Sequence, residues 1–396
     1  MGRLGCARAR CQWRAMALVV ALCVLAACGP SGTTTRRPTP VMGSVGAANM
    51  LFEAGATTPG SFTAAGLTAP SIQGGDVVMS WSWLEPNPPV DGAHQYNWAP
   101  FDSEVAQWHR AGKRVMLLVR YVGDAAGPGS CDVEQMMPAW EIARVPHVCG
   151  ASGAIIPNYF DPTFIADLQA FVAAIGSHYG HSPDRSAIAY VRIATGVGGE
   201  ETAVKGDWRD WAAFEQMARW GYTPYAWRDW VEARLSSYQQ AFAWTIVLNS
   251  VDVIVDSASN CTPAGPCLFR DPQPDPTSGQ TGLPIQAEIA YWAAAHGFGI
   301  GQQGLAPGYD TARIREITAY IKAHWPRTFI EFQTVQTDND PASIEGNIQT
   351  AFCYGGSTIE WYPVVATNAA YQQAFARWDQ LTRGVAHPVS GYCDKL

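Results

Sequence analysis

The chain has 396 residues, of which 47% are hydrophobic and 15% are charged, a composition typical of a globular protein with a large buried core. The formal net charge is −8, and no run of Lys and Arg interleaved with aromatic residues occurs beyond the first residues, so nucleic acid is not an expected partner. The sixteen Trp and fifteen Tyr residues are suited either to core packing or to stacking against sugar rings.

The N-terminal segment predicts export. Several arginines precede the apolar run 15–27, which is too short to span a bilayer comfortably and has the layout of a secretory signal. The run ends in Leu-Ala-Ala-Cys28, which resembles the bacterial lipobox, whose cysteine becomes the lipidated first residue. We therefore expect a lipoprotein signal peptide over residues 1–27 and an extracytoplasmic protein that touches the membrane only through a lipid on Cys28. An ordinary signal cleaved near Ala27, with secretion, is the alternative.

A polar, Pro-rich segment follows and predicts a flexible linker over residues 28–45, ahead of one folded domain over 46–396. Six cysteines lie in this domain, and an even number is typical of an oxidising compartment. Fifteen pairings are possible, and proximity in sequence favours three of them: Cys131 with Cys149, Cys261 with Cys267, and Cys353 with Cys393. Metal binding is the weaker alternative, since no CxxC or HxxxH spacing occurs, and no metal or cofactor is expected.

Apolar strand-like runs alternate with amphipathic helical stretches along the rest of the chain. The predicted strands are 76–86, 114–121, 187–196, 244–250, 298–305, 327–335 and 357–365, with a weaker first strand within 41–55. The predicted helices are 101–113, 161–179, 225–242, 284–296, 310–325, 343–355 and 369–384. Asp161 followed by Pro162 is the signature of a helix N-terminus.

Strands that are apolar on both faces, each followed by a helix, indicate a parallel sheet covered by helices. Eight such units over about 340 residues predict an α/β fold of the (β/α)8 TIM barrel type. A doubly wound open sheet is the alternative, but no GxGxxG turn opens a helix after the first strand. In a barrel, the active site lies where strands end and βα loops begin.

Several predicted strands end on polar or aromatic residues, and acids stand out among them. Glu331 is a lone acid in an otherwise apolar or neutral strand, and a buried isolated carboxylate is costly unless it is hydrogen-bonded or functional. Glu200 and Glu201 follow the fourth strand through a glycine-rich turn. Two carboxyl groups on different strands of one barrel end are the minimum equipment for glycoside hydrolysis.

The segment 80–121, which contains "SWSWLEP" and "RVMLLVRY", resembles the second βα unit of clan A glycoside hydrolases, especially the family 42 β-galactosidase type. The resemblance extends over most of residues 75–385. It implies that Glu200 is the acid/base, that Glu331 is the nucleophile, and that Trp361 is the tryptophan that ends strand eight. The chain departs from the family at Gly199, where the clan usually has an Asn that bonds a sugar hydroxyl.

The resemblance also suggests roles for neighbouring side chains. Glu201 is the alternative to Glu200, because adjacent side chains diverge and only one can face the pocket, and Glu360 is the alternative nucleophile. Trp361 would form the floor under the sugar, and core packing is the competing role for each aromatic residue. The remaining candidate substrate-binding residues are Trp81, Trp83, Arg120, Tyr121, Glu201, Gln302 and Gln333.

The expected function is hydrolysis of an oligo- or polysaccharide by a retaining mechanism, with carboxyl groups roughly 5 to 5.5 Å apart. A likeness to the acid-bearing turn of β-amylases would instead imply inversion, with a gap of roughly 6.5 to 9.5 Å. A carbohydrate-binding surface lipoprotein on a degenerate glycosidase barrel is the alternative that the missing Asn favours. A structural or adhesion protein is a third alternative, for which the polar strand ends give little support.

Overall fold

The computed structural model describes residues 48–51, 59–60, 64–123, 131, 136–150, 153–199, 201, 203, 211–251, 285–305, 312–334, 340–382 and 393. The chain divides into units 1–42 and 43–396, and all of these residues belong to the second. The predicted signal peptide, the linker 28–45 with Cys28, and the predicted pair Cys261 and Cys267 lie outside the described residues. No helix in the described ranges is both long and apolar enough to cross a membrane.

Eight parallel strands close into a barrel, and two more form a small antiparallel sheet. The strands are β1 Ala48–Leu51, β2 Gly74–Ser80, β3 Arg114–Arg120, β4 His147–Cys149, β5 Ile155–Pro157, β6 Ile188–Ile193, β7 Ile246–Val251, β8 Gly299–Leu305, β9 Ile330–Thr334 and β10 Thr358–Trp361. The barrel order is β1-β10-β9-β8-β7-β6-β3-β2, with β2 pairing back to β1, while β4 pairs with β5. The predicted (β/α)8 barrel is confirmed, and the open sheet is excluded.

Helices follow the barrel strands along the chain and cover the outside of the barrel. They are α1 Ala64–Thr68, α2 Trp81–Leu84, α3 Ala99–Arg110, α4 Ala139–Ile142, α5 Pro162–Gly180, α6 Trp211–Arg219, α7 Pro224–Ala241, α8 Ile285–Ala295, α9 Ala312–His324, α10 Pro341–Cys353, α11 Pro363–Ala366 and α12 Gln372–Thr382. The predicted start of α5 is confirmed, because the Asp161 side chain accepts hydrogen bonds from the N–H groups of Thr163 and Phe164.

Two predicted strands are too long, and in both cases a short helix begins where the strand ends. The strand predicted over 76–86 ends at Ser80, and the N–H of Glu85 bonds the carbonyl of Trp81 to close the turn α2. The strand predicted over 357–365 ends at Trp361, and Pro363 stands at the first position of α11, where its fixed φ favours a helix. The helix α6 was not predicted.

The strands of the barrel are buried on both faces and separate two apolar clusters. Val77 and Met79 belong to the outer core between strands and helices, whereas Val78 belongs to the barrel interior. Successive side chains of a strand point to opposite faces, so the position of a residue in its strand decides whether it faces the interior or the helices. The apolar part of the interior consists of Met50, Val78, Met116, Leu118, Ala189, Tyr190, Ile246, Leu248 and Phe329.

Two of the three predicted disulfides are present. Cys131 pairs with Cys149, and Cys353 pairs with Cys393, each with Cα atoms 5.5 Å apart. The second bond ties residue 393 to the end of α10, as the sequence predicts.

Candidate functional site

Arg192 of β6 crosses the barrel interior. Its Nη1 donates a hydrogen bond of 2.8 Å to Oε1 of Gln333 on β9 and lies 3.3 Å from Oε2 of Glu360 on β10. The strands β7, β8 and β9 separate β6 from β10 in the barrel wall, so an ion pair between them passes through the interior. The side chain of Arg192 is 1% exposed and that of Glu360 is 0% exposed. The barrel therefore contains a buried ion pair. Such a pair is stable only when further hydrogen bonds to both charged groups compensate for the loss of water.

Glu360 receives a second donor from β6. The hydroxyl group of Tyr190 donates to Oε1 of Glu360 at 2.8 Å, so both carboxyl oxygens have a donor. Burial raises the pKa of Glu360, while the charge of Arg192 and the hydrogen bond from Tyr190 oppose that rise. These contacts favour the ionised form of Glu360.

Glu331 of β9 lies beside this network. Burial, and after it the negative charge of Glu360, raise the pKa of Glu331 well above its usual range, against the opposing charge of Arg192. Neither carboxyl oxygen of Glu331 has a donor among the described residues. Carboxylates only accept hydrogen bonds, so a hydrogen bond between Glu331 and Glu360 can form only when one of the two carries a proton.

A glycine makes room for the Glu331 side chain. Gly301 of β8 stands opposite Glu331 in register, and a Cβ atom at Gly301 would collide with Oε2 of Glu331. The same Cβ would lie 2.8 Å from Leu248 on the other side, closer than such atoms approach in proteins. The run "FGIGQQGL" therefore needs glycine here so that a neighbouring carboxyl group fits.

The glycine-rich turn after β6 adopts a left-handed backbone. Gly198 and Gly199 have φ values of 71° and 88°, which glycine adopts without steric cost. The carbonyl of Gly199 accepts from Nε of Arg192 at 3.4 Å, and the N–H of Glu201 donates to the carbonyl of Ser250 at 2.9 Å. The turn thus links the end of β6 to the interior network and to β7. Glu200 lies outside the described residues.

Glu201 lies close to Tyr222, which packs against the outer core. Glu201 is 2% exposed, and its charge, after burial, raises the pKa of Tyr222. Tyr222 packs against Trp227, whose Nε1 donates to the backbone carbonyl of Glu201 at 3.3 Å. The structure therefore places Glu201 beside the segment that joins α6 to α7.

Trp361 does not form a floor in the barrel interior, so that prediction is wrong. Its ring lies 4.9 Å from the ring of Phe375 on α12, and its Nε1 donates to Oδ1 of Asn49 at 3.0 Å. It is 0% exposed and belongs to the outer core. Glu360 faces inward, and the next residue of the strand must therefore face the helices.

Trp81 and Tyr121 were also predicted to bind substrate, and the structure places both in the outer core, which is the competing role. Trp81 stacks against Phe171 of α5 with ring centroids 5.1 Å apart, and the ring centroid of Tyr121 lies 5.8 Å from that of Phe164. Both are 0% exposed. Each follows an inward-facing last residue of its strand, and this explains why both rings turn toward the helices.

Gln302 is likewise directed away from the interior, and its predicted substrate contact is wrong. Its Nε2 donates to the hydroxyl of Thr318 on α9 at 3.0 Å. The next residue, Gln303, instead donates to the hydroxyl of Ser250 on β7 at 2.7 Å. Consecutive strand residues again divide between the two faces of the barrel wall.

The remaining predicted residues lie near the interior network. Gln333 is part of it, because its Oε1 accepts a hydrogen bond from Arg192. Arg120 is 2% exposed and pairs in register with Ser80 at the end of β2. Trp83 is half-buried and packs against the apolar residues of the interior. Substrate contacts of these three residues stay predictions.

Three residues in or beside the interior network were not predicted from the sequence. Tyr190 and Arg192 are two positions apart in an otherwise apolar strand, so they face the same side, and a buried arginine requires an anionic partner. This spacing, together with a charge in a buried strand, would have allowed Tyr190 and Arg192 to be predicted as interior residues. Tyr362, which packs with Trp83 against the interior, follows directly after the last strand.

Neither a protein-family model nor a curated protein matches the sequence. Among solved structures, xylanase 10B from Thermotoga petrophila RKU-1 in complex with xylobiose is 10% identical, covers 84% of this chain and 86% of its own, and gives a TM-score of 0.41. The β-galactosidase from Rahnella sp. R3 is 11% identical, with 81% and 52% coverage and a TM-score of 0.42. Native xylanase 10C from Cellvibrio japonicus is 10% identical, with 80% and 61% coverage and a TM-score of 0.45. These values describe only a likeness in chain path.

Proposed function

We propose that this protein is a glycoside hydrolase that cleaves O-glycosidic bonds of an oligo- or polysaccharide. The observation that carries the proposal is the buried carboxyl group of Glu331, held beside Glu360 and Arg192 inside a (β/α)8 barrel. Cleavage needs one group that protonates the leaving oxygen and one carboxylate that attacks the anomeric carbon or activates water. Burial and a neighbouring negative charge raise the pKa of the Glu331 carboxyl group. A carboxyl group with a raised pKa is suited to such proton transfer.

Glu360 is poorly placed to supply the second carboxyl group, because Tyr190 and Arg192 already donate to its two oxygens. The two acting carboxyl groups flank the bond, roughly 5 to 5.5 Å apart in retaining enzymes and roughly 6.5 to 9.5 Å apart in inverting ones. The proposed mechanism therefore takes its second carboxyl group from elsewhere, and Glu200 is the residue predicted for it. The position of Glu201 beside Tyr222 supports Glu200 over Glu201, because adjacent side chains diverge.

The test is a screen of the purified protein against aryl glycosides and polysaccharides, with NMR identification of the anomer formed first. We expect hydrolysis with retention, a loss of activity in Glu331→Gln and in Glu200→Gln, and no effect of EDTA. Product of inverted configuration would contradict retention. A protein that releases no product from any member of the panel would overturn the proposed activity.

A carbohydrate-binding protein without hydrolysis is the second candidate. The complete burial of Glu331 and Glu360 favours it, and so does the position of Trp81, Tyr121 and Trp361 in the outer core rather than around a pocket. Calorimetric titration with each glycan separates the two candidates. Heat of binding without any product from the unmutated protein would establish the second and contradict the first.

We also propose that the protein is lipid-anchored through Cys28 outside the cytoplasm, which rests on the sequence alone. Metabolic labelling of bacterial cells with an alkyne fatty acid should label the unmutated chain and leave Cys28→Ser unlabelled. Equal labelling of both chains would contradict the anchor.

A further inference from the structure

Among the described residues, the charges inside the barrel balance for only one state of Glu331 and Glu360. Asp76 of β2 and Arg120 of β3 also lie on inward-facing positions and are each 2% exposed, and their opposite charges cancel in this count. Glu331 is faced by Glu360 from β10 and by Arg192 and Tyr190 from β6, while β8 presents Gly301, which has no side chain. If Glu331 is neutral, the negative charge of Glu360 and the positive charge of Arg192 compensate each other. If both acids are ionised, one buried negative charge is left over, and such a charge is very costly in a desolvated site.

The hydrogen bonds decide which acid takes the proton. Glu360 accepts from Tyr190 at 2.8 Å and from Arg192 at 3.3 Å, and a protonated Glu360 would lose the benefit of two donors. Glu331 has no donor among the described residues, so it gains a hydrogen bond by donating its own proton to Glu360. Both the charge balance and the hydrogen bonds place the proton on Glu331.

We propose that Glu360 is a positioning residue that keeps the proton on Glu331, so that Glu331 is the proton donor of the site and not its nucleophile. The proposal rests on the proposed hydrolase function and reverses the role that the family resemblance implies for Glu331. In the bond-breaking step, the O–H of Glu331 gives its proton to the glycosidic oxygen, which keeps the electron pair of the broken bond to the anomeric carbon. A second carboxylate forms a bond to that carbon. Water then attacks the same carbon and releases the carboxylate, one proton of the water returning to Glu331 and the hydroxyl group remaining on the sugar.

The location of the proton is tested by infrared spectroscopy, which detects the C=O stretch of a protonated carboxyl group. Glu141 is another buried acid, whose pKa is raised to about 8, so all variants are made in a Glu141→Gln background. At pH 7 we expect a protonated-carboxyl band in this background. The band should disappear in Glu331→Gln and in Glu360→Gln, where Glu331 ionises beside Arg192, and it should return in Glu360→Asp, which restores the charge.

Two results would overturn the proposal. A band that persists undiminished in Glu331→Gln would show that Glu331 does not carry the proton, and a band unchanged by Glu360→Gln would show that Glu360 does not hold the proton on Glu331. If Glu360→Gln does not fold, Tyr190→Phe provides the test, because it removes one donor from Glu360. We expect the Glu331 band to change frequency in Tyr190→Phe, and an identical band would contradict the proposed network.

Kinetics distinguish a proton donor from a nucleophile. A dinitrophenyl glycoside has a leaving group that departs without protonation, whereas an alkyl glycoside of the same sugar requires it. We expect Glu331→Gln to lose about 100-fold or more in kcat on the alkyl glycoside and to keep the bond-breaking step on the dinitrophenyl glycoside. Equal loss on both would make Glu331 the nucleophile. If the unmutated protein hydrolyses neither, the hydrolase function fails, and infrared spectroscopy still decides where the proton lies.

Discussion

Replacing Glu141 by glutamine should remove a pH dependence from the stability of the fold. Glu141 on α4 is 0% exposed and lies beside Asp167 of α5. Arg144 contacts both acids, with its Nη1 at 3.1 Å from Oδ2 of Asp167 and 3.9 Å from Oε2 of Glu141. Burial, and then the charge of Asp167 and a hydrogen bond to it, raise the pKa of Glu141 to about 8, against the opposing charge of Arg144.

The direction of this pH dependence follows from the pH range in which the folded and the unfolded protein each keep the proton on Glu141. In the unfolded chain Glu141 ionises near its ordinary value of 4.5, whereas the folded protein keeps the proton up to about pH 8. Between these values the folded state binds more protons, so the free energy of unfolding falls as the pH rises, by about 1.4 kcal/mol per pH unit. From about pH 5 to about pH 7 the loss is roughly 3 kcal/mol. The contribution of Glu141 is fully present only below pH 4.5.

Urea unfolding followed by tryptophan fluorescence between pH 5 and pH 8 measures this dependence. The Glu141→Gln variant carries an amide that can donate to Asp167 as the protonated acid does, and it cannot ionise. We expect it to lose the share of the pH dependence that Glu141 contributes, while the share of Glu331 remains, and to be more stable than the unmutated protein near pH 8. Asp91→Asn, at an exposed turn, is the control and should keep the unmutated dependence. A Glu141→Gln variant with the pH dependence of the unmutated protein would refute the reasoning.

Two further substitutions test the placement of side chains around the barrel. Trp361→Ala should lower the free energy of unfolding by about 3 to 5 kcal/mol, because it opens a cavity beside Phe375, and should leave sugar affinity unchanged. A Trp361→Ala variant with unchanged stability and reduced sugar affinity would contradict this placement and indicate that Trp361 contacts the sugar. Gly301→Ala should displace Glu331, since the new Cβ collides with its carboxyl group, and should lower the hydrolysis rate by about 10-fold or more in the folded fraction. Unchanged kinetics in a folded Gly301→Ala variant would contradict the close approach.

The fold follows from patterns that are local in sequence. Strands apolar on both faces alternate with amphipathic helices, and this alternation was enough to predict the parallel barrel. The length of each strand was harder to predict. Trp81 and Tyr362 look like strand residues by composition, yet a helical turn starts beside each of them. Local propensity does not reveal that the chain must bend over the barrel end at these points.

The site depends on which face each strand-end residue occupies, and composition alone does not fix that. Glu331 could be identified from the sequence as a candidate site residue, because a lone acid in a buried strand is costly unless it is hydrogen-bonded or functional. Glu360 and Trp361 are consecutive, so one of them must face inward and the other outward, and the family resemblance implied an inward-facing Trp361. The ion pair between Glu360 and Arg192 joins residues 168 positions apart, and only the closed barrel brings them together.

The proposed function requires that Glu331 carries out chemistry on a glycan inside this barrel. The most direct measurement is kcat/KM on the best alkyl glycoside from the panel for the unmutated protein, Glu331→Gln and Glu141→Gln. Glu141 is the matched control, because it is an equally buried acid with a raised pKa outside the barrel interior. We predict a fall of about 100-fold or more in Glu331→Gln and a change within about twofold in Glu141→Gln. Hydrolysis by Glu331→Gln at the unmutated rate would contradict this role of Glu331.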